Sequence, residues 1–180
     1  MTTPDNSETS AGQIEVLSVQ LGELLSRHGL RVSAAESCTG GLITAAITEV
    51  PGSSAWFEQG WVTYSNTAKQ LALGVSLDVL QASGAVSEGT VLAMADGALQ
   101  RSNADIAVAV SGIAGPDGGS VEKPVGTVCL GWAVKGKEST AQRFRYTGNR
   151  RAVRLAAVAD ALRGTISRVC LLYTSPSPRD

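Results

Sequence analysis

A serine that ends a strand and opens a helix is well placed to act as a nucleophile, because the backbone N–H groups after it can face a carbonyl oxygen. The segment Glu36-Ser37-Cys38-Thr39-Gly40-Gly41 has this form. An apolar strand over 31–35 runs into it, and a helix leaves it through Leu42, Ile43, Ala46, Ile47 and Val50 until Pro51-Gly52 stops it. Glycine permits close backbone approach, and free N–H groups at a helix start attract anions. The N–H groups of Cys38, Thr39, Gly40 and Gly41 are therefore candidates to bind substrate and hold an oxyanion. The purely structural reading of the turn is a tight connection with Ser37 or Thr39 as N-cap. It is not a phosphate-binding P-loop, since no GK[ST] follows.

Such a serine needs a base. The chain has one histidine, His28, which extends the apolar stripe Ile14, Leu17, Leu21, Leu24 and precedes Gly29. That is the place of a packed or capping histidine at a helix C-terminus. No histidine is left for a Ser-His-Asp triad or a multi-histidine metal site. Lysine, tyrosine and carboxylate remain as bases. Lys69, on a helix over 66–73 behind a strand over 61–64, is the best placed, provided that its pKa is lowered by desolvation or neighbouring positive charge. In isolation it reads as an exposed helix lysine, and the SxxK spacing fails because Gly40 occupies the relevant position. Cys38 is the rival nucleophile, but a reactive thiolate needs a histidine or clustered positive charge, so packing is its default role.

A second glycine-rich loop, Ser111-Gly112-Ile113-Ala114-Gly115-Pro116-Asp117-Gly118-Gly119, follows the compact apolar strand over 105–110. In open α/β sheets ligands bind beyond the carboxyl ends of strands, so Ser111, Gly112, Gly115, Gly118 and Gly119 are candidate binding residues. Asp117, Glu122 and Lys123 continue this stretch, which could fold over a ligand as a lid. Arg150, Arg151 and Arg154 fall in the first turns of the last helix, where cations oppose the helix dipole unless an anion is near. Arg150 is the candidate anion contact among them.

The remaining elements are an amphipathic helix over 13–28, a helix over 88–101 with Ser87 and Thr90 as rival N-caps, and strands over 125–134 and 138–146 joined by Lys135-Gly136-Lys137. Strands and helices interleave before this hairpin, which predicts an α/β fold: a three-layer α/β/α sandwich with a mixed sheet. Aromatic content of 4% agrees with a core of Ala, Val, Leu and Gly. A net charge of −1 with scattered Lys and Arg gives no basic footprint for nucleic acid. Cys38, Cys129 and Cys170 form neither a disulfide framework nor a zinc pattern. Without a signal-like or membrane-spanning apolar run, a cytoplasmic protein is expected. Residues 1–10 are expected to be a disordered tail and 11–169 a single domain. At 170–180 the helical pattern gives way to a Ser/Pro-rich end resembling translated adapter sequence, expected to be non-native or unstructured. A homodimer is the assembly expected of so compact a domain.

Taken together, AAESCTGG (34–41), YSNTAK (64–69), SGIAGPDGG (111–119) and KPVGTV (123–128) closely resemble the CinA C-terminal domain family, over about residues 13–168. The resemblance implies the family's fold. Its enzymatic members hydrolyse the carboxamide of nicotinamide mononucleotide, giving nicotinic acid mononucleotide and ammonia in pyridine-nucleotide salvage. It further implies Ser37 as nucleophile with Tyr64 and Lys69 as partners, Tyr64 relaying the proton or holding the pair in line, and no metal or other cofactor. Two further readings stand beside it: a nucleotide-binding or regulatory module without turnover, and an amidase for another small carboxamide.

Overall fold

The computed structural model describes residues 11–174. Its elements run α1 (Ala11–His28), β1 (Val32–Glu36), α2 (Leu42–Thr48), a 3₁₀ turn (Ser53–Ala55), β2 (Phe57–Val62), α3 (Asn66–Leu73), α4 (Leu77–Ser83), α5 (Glu88–Gln100), β3 (Ile106–Gly112), β4 (Thr127–Val134), β5 (Thr140–Arg145) and α6 (Arg150–Thr174). Among the described residues the strands form one five-stranded sheet in the order β2-β1-β3-β4-β5. β1 is parallel to both β2 and β3, while β4 and β5 return antiparallel. The sheet is mixed, as the interleaved elements predict.

Alternation along the strands assigns the helices to two layers. Val32 and Ala34 of β1, with Ile106, Val108 and Val110 of β3, pack under α1, α2 and α6. Ala35, Ala107 and Ala109 face the other way, against α3, α4 and α5. The small residues on that second face let α5 lie close to the sheet. A Cβ on Gly131 of β4 would meet the Val91 carbonyl oxygen of α5 at 2.6 Å.

Several boundaries differ from the sequence reading. β2 begins four residues before the expected strand and ends at Val62, because its ladder pairs Phe57 with Val32 and Val62 with Glu36. α4, which the sequence reading passed over, is capped by Ser76, whose Oγ accepts from the Val79 N–H. Ser87, not Thr90, caps α5: its Oγ accepts from the Thr90 N–H at 3.1 Å. α6 continues past residue 169, where Leu172 packs on the core and the Tyr173 ring stacks on His28 at 3.6 Å. These contacts keep 170–174 helical, beyond the point where the sequence reading ended the helix. Residues 1–10 and 175–180 lie outside the described residues. Among the described residues no helix is long and apolar enough to cross a membrane.

Candidate active site

Parallel pairing of β1 with both neighbours brings the loops after β1, β2 and β3 to one end of the sheet. Ser37 is the first residue beyond β1, and its N–H still donates to the Val110 carbonyl of β3 at 3.1 Å. Across β1, the Thr63 N–H donates to the Glu36 carbonyl at 2.8 Å, which fixes the exit of β2. Ser65 then caps α3, its Oγ accepting from the Ala68 N–H at 3.0 Å; such a cap is worth about 1 kcal/mol.

Lys69 sits in the opening turns of that helix. Helical side chains lean toward the helix N-terminus, which carries this one back to the end of β2. Nζ donates to the carbonyls of Thr63 (2.9 Å) and Tyr64 (3.3 Å) and lies 3.1 Å from Ser37 Oγ. The lysine is 1% exposed, not the solvated residue that its helix position suggested. Burial lowers its pKa from the ordinary lysine value, because the charged ammonium loses its hydration. Ser37 and Lys69, 32 residues apart, are thus in direct contact.

Tyr64 is not between them. Its side chain is 62% exposed, and its hydroxyl oxygen accepts from Arg150 at 3.2 Å. What it gives to the lysine is its backbone carbonyl. No hydrogen bond among the described residues joins its hydroxyl to Ser37 or Lys69.

The turn after Ser37 is built around a residue the sequence reading did not single out. Glu36, fully buried, accepts five hydrogen bonds at the start of α2. The Thr39 hydroxyl and the N–H groups of Gly41 and Ile43 meet Oε2, at 2.6, 3.0 and 3.0 Å. The Thr44 N–H and hydroxyl both meet Oε1 at 2.8 Å. The N-cap position is Gly41, without a side-chain cap, so neither Ser37 nor Thr39 caps this helix. The chain's own carboxylate occupies the place where a ligand anion was expected. Gly40 and Gly41 have φ of +59° and +100°, left-handed conformations that glycine adopts without strain.

The Gly40 N–H is also spent, donating to the Ser37 carbonyl at 3.0 Å. Of the four N–H groups expected to serve a substrate, Gly40 and Gly41 are therefore engaged within the turn. The N–H groups of Cys38 and Thr39 make no backbone–backbone hydrogen bond among the described residues. From α6, Arg154 reaches the same turn: Nε donates to the Cys38 carbonyl (3.1 Å) and the terminal NH2 to the Thr39 carbonyl (2.9 Å).

The space above Ser37 is a cleft of about 190 Å³. Ser37, Cys38, Tyr64 and Lys69 line one side; Ser111, Gly112 and Ala114 from the β3 end, with Ala85 and Val86, line the other. Arg150 stands at its mouth, donating to the Gly115 carbonyl at 2.8 Å as well as to Tyr64. Among the expected binding residues, Thr39 is buried against Glu36, and Gly40 and Gly41 do not line the cleft. Gly115 takes part through its carbonyl. Gly118 and Gly119 lie off the lining, Gly119 folded against the Pro124–Val125 backbone. The Ser111 hydroxyl donates to the Ala85 carbonyl at 2.7 Å, tying the end of β3 to the segment before α5. Lys123, assigned to a lid, instead donates to the Ser83 carbonyl at 2.7 Å.

Cys38 faces the cleft, yet burial pushes its thiol up to about 12, so the thiolate that could compete with Ser37 does not form near neutral pH. Among the described residues no group of three or more His, Cys, Asp or Glu could hold a metal ion.

Comparison with known proteins gives consistent matches. The CinA C-terminal domain family profile matches residues 14–169. The nicotinamide-nucleotide amidohydrolase PncC of Enterobacter agglomerans is 54% identical over 85% of this chain and 93% of its own length. The protein of the same name from Escherichia coli K12 is 53% identical, over 81% of this chain and 88% of its own. The crystal structure of the competence/damage inducible protein CihA from Agrobacterium tumefaciens superposes with a TM-score of 0.84 at 46% identity, covering 93% of this chain and 98% of that one.

Proposed function

The chain belongs to the CinA C-terminal domain family, and on that premise we propose that it is a nicotinamide mononucleotide amidohydrolase using a serine–lysine pair in pyridine-nucleotide salvage. The similar proteins named for this activity support the reaction. The observation that carries the mechanism is the 3.1 Å approach of a buried lysine amine to Ser37 Oγ. A neutral amine has two N–H donors and one lone pair. The carbonyls of Thr63 and Tyr64 take the two donors, which leaves the lone pair for the Ser37 hydroxyl.

Lys69 takes the proton of Ser37 as Oγ bonds to the carboxamide carbon. The N–H groups of Cys38 and Thr39 hold the oxyanion. The C–N bond then breaks, and ammonia leaves with the proton that Lys69 returns. Water adds to the acyl-enzyme, giving one proton to Lys69. The Oγ–C bond breaks, Ser37 recovers that proton, and nicotinic acid mononucleotide leaves as its carboxylate, the second proton of the water passing to the solvent. Arg150 meets the 5′-phosphate at the mouth of the cleft, since Arg154 is committed to the Ser37 turn and Arg151 lies outside the lining.

Ammonia release from nicotinamide mononucleotide is expected from the wild type and not from Ser37→Ala, which should retain the fold. Near-native turnover in a folded Ser37→Ala protein would exclude Ser37 as nucleophile. Nucleotide binding by a wild type without turnover would instead identify a binding module.

A further inference from the structure

We infer that Arg154 is a positioning residue for the oxyanion site, fixing the orientation of the Thr39 N–H from behind the turn. This rests on the serine-nucleophile reading above. A trans peptide unit is planar, with its C=O and N–H pointing in opposite directions. Holding a carbonyl therefore aims the next residue's N–H.

Three successive carbonyls after β1 are held in this way. That of Ser37 accepts from the Gly40 N–H, that of Cys38 from Arg154 Nε, and that of Thr39 from the Arg154 NH2 group and the Leu42 N–H. The first sets the direction of the Cys38 N–H. The second sets that of the Thr39 N–H, and no other hydrogen bond holds that carbonyl among the described residues. Without Arg154, the peptide joining Cys38 to Thr39 loses the contact that fixes its plane.

The guanidinium is part-buried and its contacts are neutral carbonyls; the ion pairs among the described residues are Arg31–Glu58 and Arg163–Asp160. Its positive charge thus faces the nucleophile turn without an ion pair among the described residues. Its neighbours anchor it: Val153, Ala156 and Ala157 of α6 are buried in the core. A rigid helix therefore holds the guanidinium against a turn 115 residues away in the chain.

The test compares the wild type with Arg154→Met, Arg154→Lys and, further along the same helix, Arg163→Met. Three quantities are read: kcat and KM for ammonia release from nicotinamide mononucleotide, the rate of Ser37 modification by a fluorophosphonate, and thermal stability. In the modification Ser37 Oγ bonds to phosphorus, the P–F bond breaks, fluoride leaves and the serine proton passes to Lys69. Loss of a single oxyanion donor lowers kcat by about 10²–10³-fold in a comparable site. Misdirection of one donor by Arg154→Met is accordingly expected to cost about 10–100-fold in kcat with KM within about threefold. Ser37 modification should slow in proportion. Arg154→Lys should recover part of the loss, since one ammonium can hold one carbonyl, and Arg163→Met should match the wild type.

A folded Arg154→Met protein with kcat and modification rate within threefold of wild type would overturn the inference, and so would a loss confined to KM or to thermal stability. If Arg154→Met does not fold, a wild-type kcat in Arg154→Lys overturns it. A wild type that is modified at Ser37 but releases no ammonia would defeat the amidase reading while leaving Arg154 to be judged on modification rates. A wild type that does neither overturns both.

Discussion

Replacing Glu36 by Gln tests how much of the nucleophile turn depends on a carboxylate that never meets solvent. The amide must place its oxygen at one carboxylate position and its NH2 at the other. At the Oε2 position the NH2 would face two backbone donors, Gly41 and Ile43, besides the Thr39 hydroxyl. At Oε1 it faces one backbone donor, the Thr44 N–H, and the Thr44 hydroxyl, which can turn to accept. The second arrangement is less costly and leaves a single orphaned N–H, worth about 1–3 kcal/mol. Loss of the negative charge at the start of α2 adds about 1 kcal/mol, for a total of about 2–4 kcal/mol. In a domain of this size, 1 kcal/mol moves Tm by about 2–4 °C. Glu36→Gln should therefore melt about 5–15 °C below wild type by circular dichroism at neutral pH, with kcat reduced because Ser37 is the next residue. A Tm within 2 °C of wild type would refute the claim that this carboxylate organises the helix start.

Three other outcomes follow from the site. Burial lowers the Lys69 pKa, and the base must be neutral, so kcat/KM should rise with pH through one ionisation whose midpoint lies below that of an ordinary lysine; Lys69→Arg, which stays charged, should abolish turnover. A profile flat across the whole range in which the protein stays folded would exclude Lys69 as the base. With its thiol pushed up to about 12, Cys38 should react with iodoacetamide at neutral pH far more slowly than a free thiol does, and Cys38→Ala should keep kcat within about tenfold; complete loss of turnover in that variant would reinstate Cys38. Tyr64→Phe removes the hydroxyl that meets Arg150 but leaves the backbone carbonyl on Lys69, so KM should rise a few-fold while kcat holds. A loss of kcat alone would return Tyr64 to proton transfer.

The sequence made the interior strands and the capped helices legible, because each has a local signature. The apolar run ending at Val110 marks the strand buried on both faces, and Ser65 and Gly74 bracket α3 at the predicted residues. β2 was misplaced because Glu58, Gln59 and Gly60 break any alternation in an edge strand, and its register is set by pairing with β1. α4 left a weak trace, since Leu80 is its buried residue. Within the site, spacing alone could not join Ser37 to Lys69; that pairing came from family resemblance, and the contact depends on two strands lying side by side. Glu36 did leave a signal. An acid at the end of an apolar strand, with Thr39 and Thr44 ahead and a helix about to start, is what a helix dipole favours. Arg154 stood out only as one of three arginines, because its targets are backbone carbonyls, which carry no mark in the sequence.

The hairpin between β4 and β5 has a practical consequence for attaching the protein to a surface. The chain contains four lysines, Lys69, Lys123, Lys135 and Lys137. Lys69 is enclosed and Lys123 is tied to the Ser83 carbonyl. Lys135 and Lys137 are exposed on either side of Gly136. Because β4 runs antiparallel to β3, pairing Gly112 with Val128 and Ile106 with Val134, this tip lies at the end of the sheet away from Ser37. Of the side-chain amines, those most open to a coupling reagent are thus the ones farthest from the cleft. A layer immobilised through them would present the open end of the sheet to the solution.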